Sequence, residues 1–133
     1  GSAGAAKARG VAAWKERILE NWSKVWVEVE RPELPGEIRI DTPLTVRARV
    51  HLGGLAPEDV SVELYLGRLD ADGAFQQAVP VEMRKAGEAG GAWLFEASGV
   101  KCSESGRHGF TVRVLPSHPD LVTRFLPGLI AWA

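Results

Sequence analysis

The chain has 133 residues, of which 45% are hydrophobic and 25% charged, and its formal net charge is −1 at pH 7. This composition is that of an ordinary folded domain, and the near-neutral charge argues against a protein that binds nucleic acid by neutralising phosphates. We expect neither a signal peptide nor membrane association, because no apolar run approaches the roughly 20 residues that span a bilayer. The single cysteine, Cys102, is typical of a reducing, cytoplasmic compartment.

The first elements in chain order are a short leader and a helix. Residues 1–6 are predicted to be a cloning scar or a linker, because Gly1-Ser2 is typical of a protease-cleavage remnant. Residues 7–24 are predicted to be a helix, because their apolar side chains recur at spacings of three and four and so share one face. These side chains are Val11, Trp14, Ile18 and Trp22.

After Lys24 the period of apolar side chains falls to two, which predicts strands. Turns rich in Gly, Pro and Asp separate about seven such runs. They occupy residues 25–30, 44–52, 60–66, 75–84, 92–97, 107–115 and 128–133. Pro80 lacks a backbone donor and therefore predicts an edge strand or a bulge, and residues 87–91 predict a flexible tip.

One helix followed by about seven turn-separated strands is typical of an antiparallel β-sandwich. We therefore predict a mainly β domain over residues 25–133, of the immunoglobulin or fibronectin type, preceded by one N-terminal helix. The cysteine pair of antibody domains is missing, but that pair is not general to the architecture.

Two short patterns suggest a metal site or a catalytic pair, but both are better explained without a functional site. Asp70-x-Asp72-Gly73 begins like a calcium loop, but Phe75 and Val81 stand where the glycine and the glutamate are needed, so a hairpin turn is favoured. Cys102 and His108 form a candidate nucleophile–base pair without an orienting third group, so a bystander thiol is favoured. We predict no catalytic residue, no metal site and no cofactor site.

The chain contains five tryptophans, and flat aromatic rings stack well on sugar rings. Trp14 and Trp22 lie on the apolar face of the predicted helix and Trp93 on that of a strand, so packing accounts for these three. Trp26 opposes the valines of its own strand, so it lies either under the helix or against solvent or a partner. Trp132 stays open in the same way.

Several longer stretches resemble a known family. RHGFTVRVLPSHPDL at residues 107–121 and GLIAW at 128–132 resemble the extreme C-terminus of bacterial α-glucan (glycogen/maltodextrin) phosphorylases. The subgroup concerned is the one whose chains begin with an extra N-terminal domain. AAWKERILENWSKV at 12–25 and HLGGLAPEDVSVELYLGRLDADG at 51–73 are similar to what precedes that tail. The resemblance covers residues 11–133.

The resemblance implies a fragment of a larger enzyme. Such phosphorylases use pyridoxal phosphate and split a terminal α-1,4-linked glucosyl unit with phosphate to give glucose 1-phosphate. Their two large catalytic lobes and cofactor lysine do not fit within 133 residues of mostly strands. The resemblance therefore implies a non-catalytic C-terminal accessory domain, with pyridoxal phosphate confined to the catalytic part of the parent enzyme.

The leading hypothesis is a domain that packs against the catalytic domains of the parent or helps its subunits assemble. The alternative is a carbohydrate-binding module, which two exposed tryptophans on one face would favour and burial of all five would contradict. In that module tryptophans stack on glucose rings and other polar side chains bind hydroxyl groups. The candidates are Trp26, Trp93 and Trp132 for stacking, and Asp70, Asp72 and Arg107 for hydroxyl groups.

A third expectation concerns association between copies of the chain. A helix separated from a larger interface would expose the face formed by Trp14, Ile18 and Trp22, and exposed apolar faces invite dimerisation. The sequence leaves open whether this helix packs on its own sandwich.

Overall fold

A computed structural model describes the backbone of residues 2–30, 43–101, 108–120 and 129–133, and the side chains of these ranges from residue 10 onward. The helix α1 spans Ser2–Asn21, and a 3₁₀ turn at Trp22–Lys24 follows it. Helix α1 thus begins inside the segment predicted to be a scar or linker, where alanine has the highest helix propensity. It ends three residues earlier than predicted. No helix of the described residues is long and apolar enough to cross a bilayer.

The described residues form eight strands, where the sequence predicted about seven. The strands are β1 Trp26–Glu30, β2 Leu44–His51, β3 Val60–Leu69, β4 Phe75–Glu82, β5 Arg84–Ala89, β6 Ala92–Val100, β7 His108–Pro116 and β8 Ala131–Trp132. The predicted strand at 75–84 is divided at the buried Met83, whose N–H donates to the Val62 carbonyl at 2.8 Å. The predicted tip at 87–91 was partly wrong, because β5 continues to Ala89 and the turn is formed by Gly90 and Gly91 at positive φ.

The strands make two antiparallel four-stranded sheets. Sheet A has the order β1-β2-β6-β5, and sheet B has the order β4-β3-β7-β8. The predicted antiparallel β-sandwich with one N-terminal helix is therefore confirmed, while its immunoglobulin-like character stays a prediction. Strand β4, which carries Pro80, borders sheet B as the sequence predicted.

The core lies between the inner faces of the two sheets. Strand β2 alternates buried and exposed side chains along its length, as its period of two requires. In sheet B, Val62 lies opposite Val114 and Leu64 opposite Val112, and all four side chains are buried. Every second residue of β3 and β7 therefore points away from the core, onto the outer face of sheet B.

Helix α1 packs on its own sandwich. Trp14 is 2% exposed, and both it and Ile18 belong to the same buried cluster as the sheet residues. Trp22 is half-buried against this cluster. The face expected to be exposed for dimerisation is thus covered by the sandwich of the same chain, so a homodimer through it would require the helix to detach.

Polar contacts fix the helix in place. The Arg17 guanidinium donates to Asp59 Oδ1 at 2.8 Å, and the N–H of Gly54 donates to Asn21 Oδ1 at 3.0 Å. The Trp14 ring lies 5.2 Å from the ring of His118, which follows β7. These contacts all come from the last two turns of α1. They bind the helix to the segment between β2 and β3 and to the residues that follow β7.

Candidate functional site

The outer face of sheet B carries a cluster of aromatic and charged side chains, which we call the aromatic face. It consists of Glu63 and Tyr65 from β3, Phe75 from β4, Arg113 from β7 and Trp132 from β8. The register places Glu63 opposite Arg113, and Arg113 opposite Trp132. Because Val62, Leu64, Val112 and Val114 fill the inner face, these alternating partners lie together on the outer one.

The three rings of the aromatic face form a row. The Tyr65 centroid is 5.2 Å from that of Phe75 and 5.4 Å from that of Trp132, and the interplanar angle is 77° in both pairs. These are edge-to-face contacts, the arrangement that the ring quadrupole favours. Tyr65 therefore stands between two rings that it contacts at a steep angle.

An ion pair supports this row. Arg113 Nε donates to Glu63 Oε1 at 2.8 Å, and both side chains are largely buried. The Arg113 guanidinium also lies over the Tyr65 ring at 5.0 Å and over the Trp132 ring at 5.6 Å. A charge-assisted hydrogen bond and two cation–π contacts therefore hold Arg113 between the rings.

Trp132 is 48% exposed although it lies in this cluster. The backbone next to it is anchored, because the N–H of Ala133 donates to the Val112 carbonyl at 2.9 Å. A large indole is thus held at the surface of sheet B with one side against Arg113 and Tyr65.

Trp26 lies on the outer face of the other sheet and is 49% exposed. It stacks on the His51 ring with centroids 3.8 Å apart and planes within 2°. The sequence left open whether Trp26 lies under the helix, and this exposure decides against that. The rest of this sheet-A face is lined with charged groups, including Arg49 bound to Glu30 at 3.2 Å.

The three tryptophans proposed for sugar stacking are not brought together. Trp26 and Trp132 are both exposed, but they lie on the outer faces of different sheets. Trp93 is paired with the core residue Val50 and is half-buried, with Lys85 Nζ 5.3 Å from its ring centroid. The condition of two exposed tryptophans on one face is therefore not met.

Asp70 and Asp72 belong to a hairpin loop. Asp70 Oδ1 accepts the N–H groups of both Asp72 and Ala74 at 2.9 Å, and Gly73 has a φ of +82°. The predicted hairpin is confirmed, and no group of three metal-ligating side chains lies together in the part of the chain that the structure describes. Arg107 and Cys102 lie outside the described residues, while His108 begins β7.

Replacing Asp70 with alanine is expected to lower the free energy of unfolding by about 0.5–1.5 kcal/mol, because two backbone donors lose their acceptor in a solvent-exposed turn. Asp72→Ala is the matched control and is expected to change it by less than about 0.5 kcal/mol, since this side chain is exposed. Urea unfolding measures both. Equal effects of the two variants would contradict the turn role of Asp70.

A groove of about 440 Å³ opens between β4 and the end of β6. Its lining includes the apolar side chains of Leu66 and Val81 and the cationic side chains of Arg68 and Lys101. It includes none of the residues that the sequence predicted for sugar or partner contact.

Known proteins resemble this chain over most of its length. The family model described as glycogen phosphorylase C-terminal domain matches residues 22–133. The chain belongs to this family. Among curated relatives, the glycogen phosphorylase of Mycobacterium tuberculosis is 36% identical over 127 residues, which cover 95% of this chain and 15% of that protein. The maltodextrin phosphorylase of Thermococcus litoralis is 37% identical over 128 residues, which cover 93% of this chain and 14% of that protein.

This glycogen phosphorylase C-terminal domain spans about 15% of the length of the curated relatives that it matches. The family model begins at Trp22, after α1, whereas the alignments to the relatives cover 95% of the chain and so extend into the helix. Helix α1 is thus shared with these relatives but lies outside the domain model.

Sequence reasoning missed four of the five residues of the aromatic face: Glu63, Tyr65, Phe75 and Arg113. For aromatic contacts it considered tryptophans only, one strand at a time. The signal was present in the outward positions of the two central strands of sheet B, which carry Glu63, Tyr65 and Arg113. Aligning those two strands would have placed an aromatic ring beside an ion pair.

Proposed function

We propose that the chain is the non-catalytic C-terminal accessory domain of an α-glucan phosphorylase, and that it packs against the catalytic part of the parent enzyme. The parent reaction is then phosphorolysis of α-1,4-glucans to glucose 1-phosphate in the cytoplasm. Pyridoxal phosphate belongs to the catalytic part, and this domain needs no cofactor of its own. The names of the relatives, glycogen phosphorylase and maltodextrin phosphorylase, support the parent's activity.

The observation that carries this proposal is the docking of α1. The helix lies outside the family model of the domain, yet Trp14 and Ile18 are buried in the sandwich core. Most of each relative's length lies outside the match. In a parent of that length, α1 acts as a rigid connection that holds the sandwich in one orientation relative to the catalytic part.

The charged groups of the described residues also support a structural role. Some of them form ion pairs on the outer sheet faces, as Arg47 does with Glu96 at 3.5 Å, and next to α1, as Arg17 does with Asp59. Any role in subunit assembly would use surfaces other than the buried face of α1.

The test compares the full-length phosphorylase that carries this domain with a version that ends after Lys24. We expect the truncated enzyme to melt at a lower temperature or to lose its native assembly state, because Trp14 and Ile18 then lose the core that covers them. Scanning calorimetry and light scattering measure these properties. An unchanged melting temperature together with unchanged assembly would overturn the packing role. Turnover of maltodextrin and phosphate by the 133-residue chain alone would overturn the non-catalytic role.

A further inference from the structure

We propose that the aromatic face binds an α-1,4-glucan chain, with the exposed ring face of Trp132 as the stacking platform. The choice of ligand rests on the proposed function, which makes the parent an α-glucan phosphorylase. The surface itself is identified by the exposure, rigidity and charge of its side chains.

The exposure of Trp132 distinguishes the aromatic face. Four large hydrophobic side chains are exposed among the described residues, and Trp132 alone of these lies on the aromatic face. Leu19 lies on α1, Trp26 on sheet A, and Val79 in the inward register of β4, opposite Leu66. The aromatic face therefore exposes an indole without exposed large aliphatic neighbours. An exposed indole offers a flat apolar surface on which a sugar ring stacks.

The Trp132 side chain is held rigidly. Arg113 covers one side of the Trp132 ring at 5.6 Å, and the Tyr65 ring contacts it at 77°. Because these contacts already hold the indole, binding a sugar on its remaining side costs little further side-chain entropy. Most of the free energy of stacking therefore contributes to the binding affinity.

Charge also distinguishes the aromatic face. Arg113 is bound to Glu63, so these two charges compensate each other, and the exposed Glu82 lies opposite Glu63 at the border of the face. Such a face suits a neutral ligand rich in hydroxyl groups. The groove lined by Arg68 and Lys101 differs, because both of these side chains are cationic.

Polar groups border the rings where sugar hydroxyls need partners. Tyr65 carries a hydroxyl, and Thr111, whose Oγ1 donates to the Ala133 carbonyl at 3.5 Å, lies directly opposite it in the register. The row from Trp132 through Tyr65 to Phe75, with steps of 5.4 and 5.2 Å, gives the glucan a path across sheet B. We assign the first glucose ring to Trp132 and the hydroxyl contacts of the next to Tyr65.

The experiment is affinity electrophoresis of the 133-residue chain through gels with and without glycogen, together with fluorescence titration with maltoheptaose. We expect glycogen to retard the chain, and Trp132→Ala to weaken binding by about tenfold or more, since the stacking contact is lost. Trp132→Leu keeps an apolar side chain in the strand and is expected to weaken glucan binding by a similar factor. Tyr65→Phe is expected to weaken binding about two- to tenfold, because one hydrogen bond to the glucan is lost.

Trp26→Ala is the matched control, because Trp26 is as exposed as Trp132 but lies on the other sheet. It is expected to leave binding unchanged. A cello-oligosaccharide of equal length, with β linkages, tests whether the glucan linkage matters. Far-ultraviolet circular dichroism and urea unfolding establish that each variant is folded.

Unretarded migration of the wild-type chain would overturn the proposal, as would equal loss of binding in the Trp26 and Trp132 variants. Capture of the separately produced catalytic part by the wild-type chain but not by Trp132→Ala would make the aromatic face a protein-docking surface and overturn it too. Failure of glucan binding leaves the truncation test of the proposed function untouched, because that test measures melting temperature and assembly.

Discussion

Replacing Trp14 with alanine is expected to lower the free energy of unfolding by about 3–5 kcal/mol, the range for removing a buried aromatic side chain. Trp14 is 2% exposed and packs into the cluster that joins α1 to both sheets, so its loss leaves a cavity that neighbouring side chains fill only in part. Urea unfolding followed by circular dichroism measures the change.

Leu19→Ala is the control for Trp14→Ala. Leu19 lies one helical turn and a half further along α1 and is 66% exposed. We expect the control to change the free energy of unfolding by less than about 0.5 kcal/mol. A small effect of Trp14→Ala, similar to that of the control, would show that α1 is not docked on the sandwich in solution. The rigid connection that we propose would then be wrong.

The second large effect is expected at Asp59, whose carboxylate joins α1 to the sandwich. Its Oδ1 accepts from Arg17 and its Oδ2 accepts from the N–H of Ala56 at 2.9 Å, while its backbone carbonyl accepts from Ser117. Asp59→Ala removes both side-chain bonds at a buried position and is expected to cost about 2–4 kcal/mol. Asp59→Asn keeps an acceptor for Ala56 and is expected to cost about 1 kcal/mol.

A double-mutant cycle with Arg17→Ala separates the ion pair from the backbone bond. Arg17 is about half exposed, so we expect a coupling of only about 0.5–1 kcal/mol between the two residues. Glu58→Ala is the control, because Glu58 is adjacent and exposed and makes only a long ion pair, with Lys85 Nζ 3.9 Å from its Oε1. A cost of Asp59→Ala no larger than that of Glu58→Ala would contradict the anchoring role.

The sequence predicted well the features that depend on the pattern of a few neighbouring residues. Strand β2 alternates as expected, the hairpin lies at Asp70–Gly73, and Pro80 lies in a bordering strand. In each case the pattern of apolar side chains or the chemistry of a turn acts over a few neighbouring residues.

Strand β5 was missed because no such pattern marks it. Its residues RKAGEA contain no alternation of large apolar side chains, since most of them are exposed. Its conformation comes from pairing with β6, where Glu88 lies opposite Trp93 and Ala89 opposite Ala92. Pairing of this kind depends on backbone hydrogen bonds, so it does not require a regular pattern of apolar side chains.

The aromatic face was missed for a related reason. Tyr65 and Trp132 belong to strands that are far apart in the chain, and they come together only because β7 lies between β3 and β8. Trp26 and Trp132 are both exposed, but the order of strands decides that Trp132 lies beside a tyrosine ring and Trp26 beside a histidine ring.

The strands that border the two sheets also determine how copies of the domain behave toward each other. Strand β8 has only two residues, β4 contains Pro80 without an N–H, and β1 presents Glu28 and Glu30 beside its edge. Strand β5 carries Lys85 in the same way. A further strand added at any of these borders would find too short a template, a missing donor or a charge to desolvate. Copies of this domain are therefore protected against edge-to-edge aggregation by the border strands of their own two sheets.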